Sequence, residues 1–191
     1  MTVLLVGLVV FFAVHSISIV NEPWRDRMVA RLGEVSWQGL YGLAAILGFV
    51  LIVWGYGLAR QEPVVVYLPA LWLRHVTMLV VLPVFPLLLA AYLPGRIQAQ
   101  TKHPMLLGTM LWAFAHLLAN GTLADLLLFG GFLAWAALDR MSMTRRVQRP
   151  IPSAPPSGVN DAIAVVSGLG GYAAFVLWLH GWLIGVPVIA R

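Results

Sequence analysis

Long apolar runs alternate with short polar connections along the chain, at about residues 2–20, 38–58, 71–93, 105–119, 123–138 and 162–189. Runs of this length suit a bilayer better than a globular interior. At a helical rise of about 1.5 Å per residue, most of them cross about 30 Å of hydrocarbon. The pattern predicts an all-α fold, a polytopic transmembrane bundle of about six helices forming one domain over residues 1–191. The fourth and fifth runs are short, so this pair either just spans or dips into the membrane as a re-entrant pair. Between them Asn120-Gly121 predicts a helix stop of the left-handed type, with Thr122 as the next N-cap and Asp125 completing a capping box. Pro83 and Pro86 predict a kink in the third helix, and the spacings Ala44 to Gly48 and Gly170 to Ala174 permit close helix packing. Residues 139–161 are the longest connection and read as a partly extended, Pro-rich linker.

Composition supports the same picture. Hydrophobic residues make up 61% of the 191 and charged residues only 10%, which excludes an ordinary soluble domain. The net charge of +5 does not point to nucleic acid, because the basic residues sit in the short connections and form no basic helix or stripe. They read as topology signals. Arg25, Arg27, Arg31, Arg96, Lys102, Arg140, Arg145, Arg146 and Arg149 fall on one side; only Arg60, Arg74 and Arg191 fall on the other. The richer side is cytoplasmic by the positive-inside rule, so both termini are expected to be periplasmic in a bacterial inner membrane. The first run has no basic n-region and no small-x-small cleavage site, and reads as a retained helix. The absence of cysteine excludes disulfides, thiolate metal sites and covalent haem attachment, so any haem is held non-covalently.

Polar side chains inside such helices are costly in lipid and mark candidate sites. His15 lies in the first helix with Ser16 and Ser18. In the fourth, Gly108, Trp112, His116 and Asn120 recur every fourth residue and form one stripe. His15 and His116 have two readings, as axial ligands of a haem iron or as hydrogen-bond donors between helices, and the residues alone leave both open. His75 and His180 lie toward the outer ends of their helices, where an interfacial histidine is the simpler reading. His103 before Pro104 is either an N-terminal anchor with Lys102 or a substrate contact. Trp24, Trp37, Trp72 and Trp182 suit the aromatic belt, whereas Trp112 is deeper. In the first connection Arg25, with Gln38 and Tyr41, either faces lipid headgroups or closes the cytoplasmic mouth of a cavity. In the second case the arginine binds an anionic group such as a haem propionate.

Several motifs together resemble the NnrU family. They include Phe12-x-x-His15-Ser16, Arg25, Leu32-Gly33-Glu34, Tyr41-Gly42, Gly55-Tyr56, Pro94-Gly95-Arg96, His103-Pro104-Met105 and Leu111-Trp112-Ala113. The block His116-Leu117-Leu118-Ala119-Asn120-Gly121, then Phe129-Gly130, Asn160-Asp161, His180 and Leu183-Ile184-Gly185-Val186-Pro187, extend the likeness over nearly the whole chain. The resemblance implies a role in denitrification, in nitrite and nitric oxide reduction. Through a plant relative, the zeta-carotene isomerase, it also implies haem b and the isomerisation of a membrane-soluble polyene. Its implied haem ligands fall on His116 and His15. An enzyme of this kind is a haem-dependent cis–trans isomerase or a redox enzyme; the alternative is a non-catalytic membrane factor that assembles or senses partners through its cytoplasmic loops. Lys102-His103-Pro104-Met105-x-x-Gly108 also resembles, locally, a segment of the isoprenylcysteine carboxyl methyltransferases. The acidic, tyrosine-rich segment of those enzymes is absent here.

Overall fold

A computed structural model describes residues 1–149 and 151–189, which leaves Arg191 of the topology argument outside the described residues. Regular structure among them is helical: α1 Thr2–His15, α2 Ile17–Leu32, α3 Glu34–Ala59, α4 Leu73–Val81, α5 Val84–Ala90, α6 Arg96–Thr101, α7 Pro104–Ala119, α8 Leu123–Ser142 and α9 Val159–Ala174. A π-helical turn, Phe175–Leu179, then leads into α10, His180–Ile184. Three stretches are long and apolar enough to cross a membrane: Glu34–Ala59, Leu73–Ala90 and Val159–Ile184. Counting α1 and α2, bent by 54°, as one span makes four. The expected fourth span is the 16-residue apolar helix α7; the expected fifth is α8, which carries Asp125, Asp139 and Arg140. The helices group into two compact units, one of residues 1–70 with 119–148, the other of residues 71–118 with the described residues from 149 onward.

In the first unit α1 and α3 approach backbone to backbone. A Cβ on Gly7 would lie 2.6 Å from the Ile52 amide nitrogen, one on Gly48 would lie 2.8 Å from that of Phe11, and one on Gly55 would collide with the Leu4 backbone. Leu4, Leu8, Ile52 and Ala59 are buried in this seam. In lipid, where apolar side chains gain little by leaving the solvent, such small-residue contact is what holds helices together. Leu43, Ile46, Phe49, Val53 and Trp54 of α3 remain exposed and suit the surrounding acyl chains.

The first connection is not a loop. Helix continues to Leu32 with a single break at Asn21 (φ −150°, ψ 75°), where the Asn21 side-chain oxygen accepts from the Trp24 amide at 3.0 Å. Asn21 thus acts as an N-cap, and Pro23 sits in the first turn, where its missing N–H has no partner to lose. Gly33 at φ 82° ends the helix and starts α3.

At the start of α8 the expected capping box is present. Thr122 accepts from the Asp125 amide at 3.3 Å, and the Asp125 carboxylate accepts from the Thr122 amide at 2.9 Å. The other Asp125 oxygen accepts from the Tyr56 hydroxyl at 2.6 Å, which ties α8 to α3. The left-handed stop at Asn120-Gly121 is not formed, since neither residue has positive φ. Gly121 serves close approach instead: its carbonyl accepts from the Val66 and Tyr67 amides at 2.8 and 3.1 Å, and a Cβ there would strike the Tyr67 carbonyl. Val65 and Thr122 form an isolated antiparallel bridge beside it. The Tyr67 hydroxyl donates to the Asn120 carbonyl at 2.7 Å, and partial burial, then the charge of Asp125, push this phenol up.

In the second unit α4 and α5 are separated at Leu82 and Pro83, the kink the prolines predict. The close approach of α5 to α9 runs through Gly168, whose Cβ would lie 2.5 Å from the Pro86 nitrogen, and through the fully buried Ala164. Gly170 meets nothing within 4 Å, so the expected Gly170–Ala174 stripe is not the seam; the seam lies six residues earlier, at Ala164 and Gly168. Part of the expected extended linker is docked. The Ala154 and Ser157 amides donate to the carbonyls of Tyr92 and Pro94 at 3.0 and 3.2 Å, and the Asn160 side-chain amide donates to Pro94 and Pro155 at 2.8 and 3.0 Å.

Candidate functional site

Helices α1, α2, α3 and α8 of the first unit enclose a cavity of about 380 Å³, at the small end of the range for ligand sites. His15 lies on its wall. The ring Nδ1 donates to the Phe11 carbonyl one turn back at 2.7 Å, so the tautomer is fixed and Nε2 carries the lone pair. The aromatic setting is dense. Phe11 stacks on the imidazole at 4.0 Å between centroids, while Tyr41 and Trp135 meet it edge-on at 5.4 and 5.8 Å. Phe12 and Phe132 pack against Phe11 and Trp135 behind these rings.

Polar side chains line the same cavity. Arg25 and Gln38 line it together with Asp139 and Arg146. Arg25 bonds to its neighbour Asp26 at 3.0 Å, a half-exposed partner, and Gln38 donates to Glu34 at 3.2 Å. Asp139 is buried and forms an ion pair with Arg146, with a further hydrogen bond from Ser142 at 3.3 Å. Arg25, Gln38 and Tyr41 thus line the same cavity as His15.

Trp135, Asp139 and Arg146 complete this site, and the sequence reading did not bring them to it. Phe132, Trp135 and Asp139 are spaced three and four apart on α8 and so share one face, a periodic signal that an apolar run obscures. Asp139 and Arg146 are joined only through the turn after α8, where the Arg145 and Arg146 amides donate to the Ser142 carbonyl.

His116 belongs to the second unit and repeats the local geometry of His15. Its Nδ1 donates to the Trp112 carbonyl at 2.7 Å, and the two rings lie 5.2 Å apart. The Trp112 carbonyl therefore fixes this tautomer. Gly108 of the same stripe is buried against Leu87 and Val84 of α5, and Asn120 falls in the first unit, where its carbonyl meets Tyr67. His103 follows Lys102 at φ 62° and donates its amide to the Thr101 carbonyl at 2.7 Å, just before α7. His180 donates through Nδ1 to the Val186 carbonyl at 2.6 Å, a turn that Gly185 at φ 76° makes possible.

Among the described residues no group of three or more His, Asp or Glu gathers as a site for a bare metal ion. A haem asks for less, namely one or two imidazoles with a free lone pair, aromatic walls and a cation near its acidic edge. His15, the rings around it and Arg25 fit that request in type.

Helices of this length and hydropathy, with an imidazole of fixed tautomer at a cavity among them, define an all-helical membrane protein with an internal histidine site. The chain belongs to the NnrU family: the family model described as NnrU protein matches residues 3–188. No curated protein and no solved structure matches the chain.

Proposed function

We propose that the protein is a haem b protein of the bacterial inner membrane, in which His15 is an axial ligand. It acts in nitrogen-oxide respiration or in the cis–trans isomerisation of a membrane-soluble polyene. The observation that carries this reading is the hydrogen bond from His15 Nδ1 to the Phe11 carbonyl, which aims the chemistry of the ring at Nε2 inside an aromatic-walled cavity. A ligating histidine ordinarily has its second nitrogen held in this way. His116 of the second unit, held by the Trp112 carbonyl and with Trp112 against its ring, is the other candidate ligand that the family resemblance implies.

When bound, haem supplies one-electron chemistry or polarisation of a bound double bond. The chain's residues orient and shield it. Arg25 would hold a propionate, since its present partner Asp26 is half-exposed and such exposed ion pairs contribute only about 0–1 kcal/mol. Phe11 and Trp135 shield the imidazole, and Phe12 backs Trp135. The expected topology has six crossings with both termini periplasmic, which puts Arg25 at the cytoplasmic mouth.

The test is copurification. The chain, expressed with ample haem supply and isolated in mild detergent, carries haem b near one equivalent by haem extraction and iron analysis. Purification free of haem and iron would overturn the reading in favour of a non-catalytic assembly or sensing factor.

A further inference from the structure

The first-unit cavity contains a charged pair that the haem reading leaves without a task. Asp139 and Arg146 are both largely buried, with side chains 10% and 12% exposed, and both line the wall that holds His15. Asp139 stands one helical turn beyond Trp135, whose ring meets the imidazole, so the carboxylate lies on the His15 side of α8. His15 and Tyr41 line the same cavity as this carboxylate.

Structural need does not explain the pair well. A buried ion pair is commonly no better than apolar residues of the same volume, because desolvation offsets the attraction. Arg146 bonds to Asp139 and to the Met143 sulfur, yet its Nε is buried without a hydrogen-bond partner. Such a pair does, however, fix the sign and position of a charge in a place of low dielectric, where its field is strong.

We infer that Asp139 and Arg146 are positioning residues that set the electrostatic field at the His15 site, with Asp139 the nearer charge, so that the oxidised, more positive state of an iron held there is favoured. The inference rests on the haem reading. Asp139 touches neither imidazole nor iron in this role; it acts through space, and Arg146 keeps it ionised and in place. Protein charge and burial around a haem are established levers on its potential.

The experiment is a spectroelectrochemical titration of the haem-loaded full chain and three variants. In Asp139→Asn the carboxylate is lost and Arg146 is left behind, so the midpoint potential rises while the Soret band is retained. In Arg146→Gln the carboxylate is left alone and the potential falls. The double variant, neutral at both positions, lies above wild type and below Asp139→Asn. The single variants test whether each charge acts on the iron, and the double variant, with no unpaired charge, tests the net sign; a double variant at or below the wild-type potential would overturn the inference. Unchanged potentials in haem-loaded variants, or shifts of the same sign in the two singles, would overturn the inference and leave the haem reading standing. A wild-type chain without haem overturns both.

Discussion

The carboxylate of Asp161, at the start of α9, accepts from the backbone amides of Arg96 and Ile97 at 2.8 and 3.0 Å and so caps α6 from a distant part of the chain. A Cβ on Gly95 would intrude on that carboxylate. The Pro94-Gly95-Arg96 and Asn160-Asp161 motifs are therefore two halves of one clasp. Because a lost helix cap costs about 0.5–2 kcal/mol, Asp161→Ala is expected to lower the thermal midpoint in detergent, and Gly95→Val to do so more strongly. An Asp161→Ala protein with unaltered unfolding would show that the clasp carries no stability.

Much of this fold was legible because its signals are local. The apolar runs at 38–58, 105–119 and 123–138 correspond to Glu34–Ala59, Pro104–Ala119 and Leu123–Ser142, and the Thr122 cap stands where the sequence puts it. The helix at 22–32 was hidden by its polarity, although Asn21-Glu22-Pro23 is a start signal by cap chemistry. The clasp and the partners of His15 were not legible. Trp135, Asp139 and Arg146 reach the cavity through the register of α8, and Ala154 reaches Tyr92 through pairing over some sixty residues; neither leaves a local pattern.

The link between Tyr56 and Asp125 predicts a second stability effect. Asp125 is buried and accepts from Tyr56, from the Thr122 amide and from the Thr122 hydroxyl at 2.6 Å. Removing one donor from a buried carboxylate costs about 1–3 kcal/mol. Tyr56→Phe is expected to lower the unfolding midpoint in detergent while leaving the helical circular dichroism at low temperature unchanged. A Tyr56→Phe protein as stable as wild type would place the strength of this junction in the capping box alone.

Glycines in α3 are expected to divide by face. Gly55→Leu forces apart the backbones of α1 and α3, and the protein should fail to accumulate as a monodisperse species in detergent. Gly42→Ala meets nothing within 4 Å and replaces a poor helix former, so it should be neutral or stabilising by up to about 1 kcal/mol. Size-exclusion chromatography of both variants checks this, and equal behaviour of the two would contradict the seam at Gly7, Gly48 and Gly55.

The proposed topology is checked by reporter fusions. A reporter placed after residue 149 should be active as a cytoplasmic fusion, and one at the end of the chain as a periplasmic fusion. A periplasmic position after residue 149 would exclude the six-crossing map, because an α7–α8 pair that crosses twice and one that dips and returns both leave residue 149 on the cytoplasmic side.

The most direct measurement is the visible absorption spectrum of the purified full chain beside its histidine variants. The account predicts a Soret band in wild type. His15→Ala removes it or converts six-coordinate to five-coordinate iron, and His116→Ala abolishes it. Asn120→Ala only weakens the band, and His180→Ala, toward the outer end of its helix where an interfacial histidine is the simpler reading, leaves it largely intact. A Soret band unchanged by His15→Ala and His116→Ala but lost with His75→Ala or His180→Ala would contradict the account.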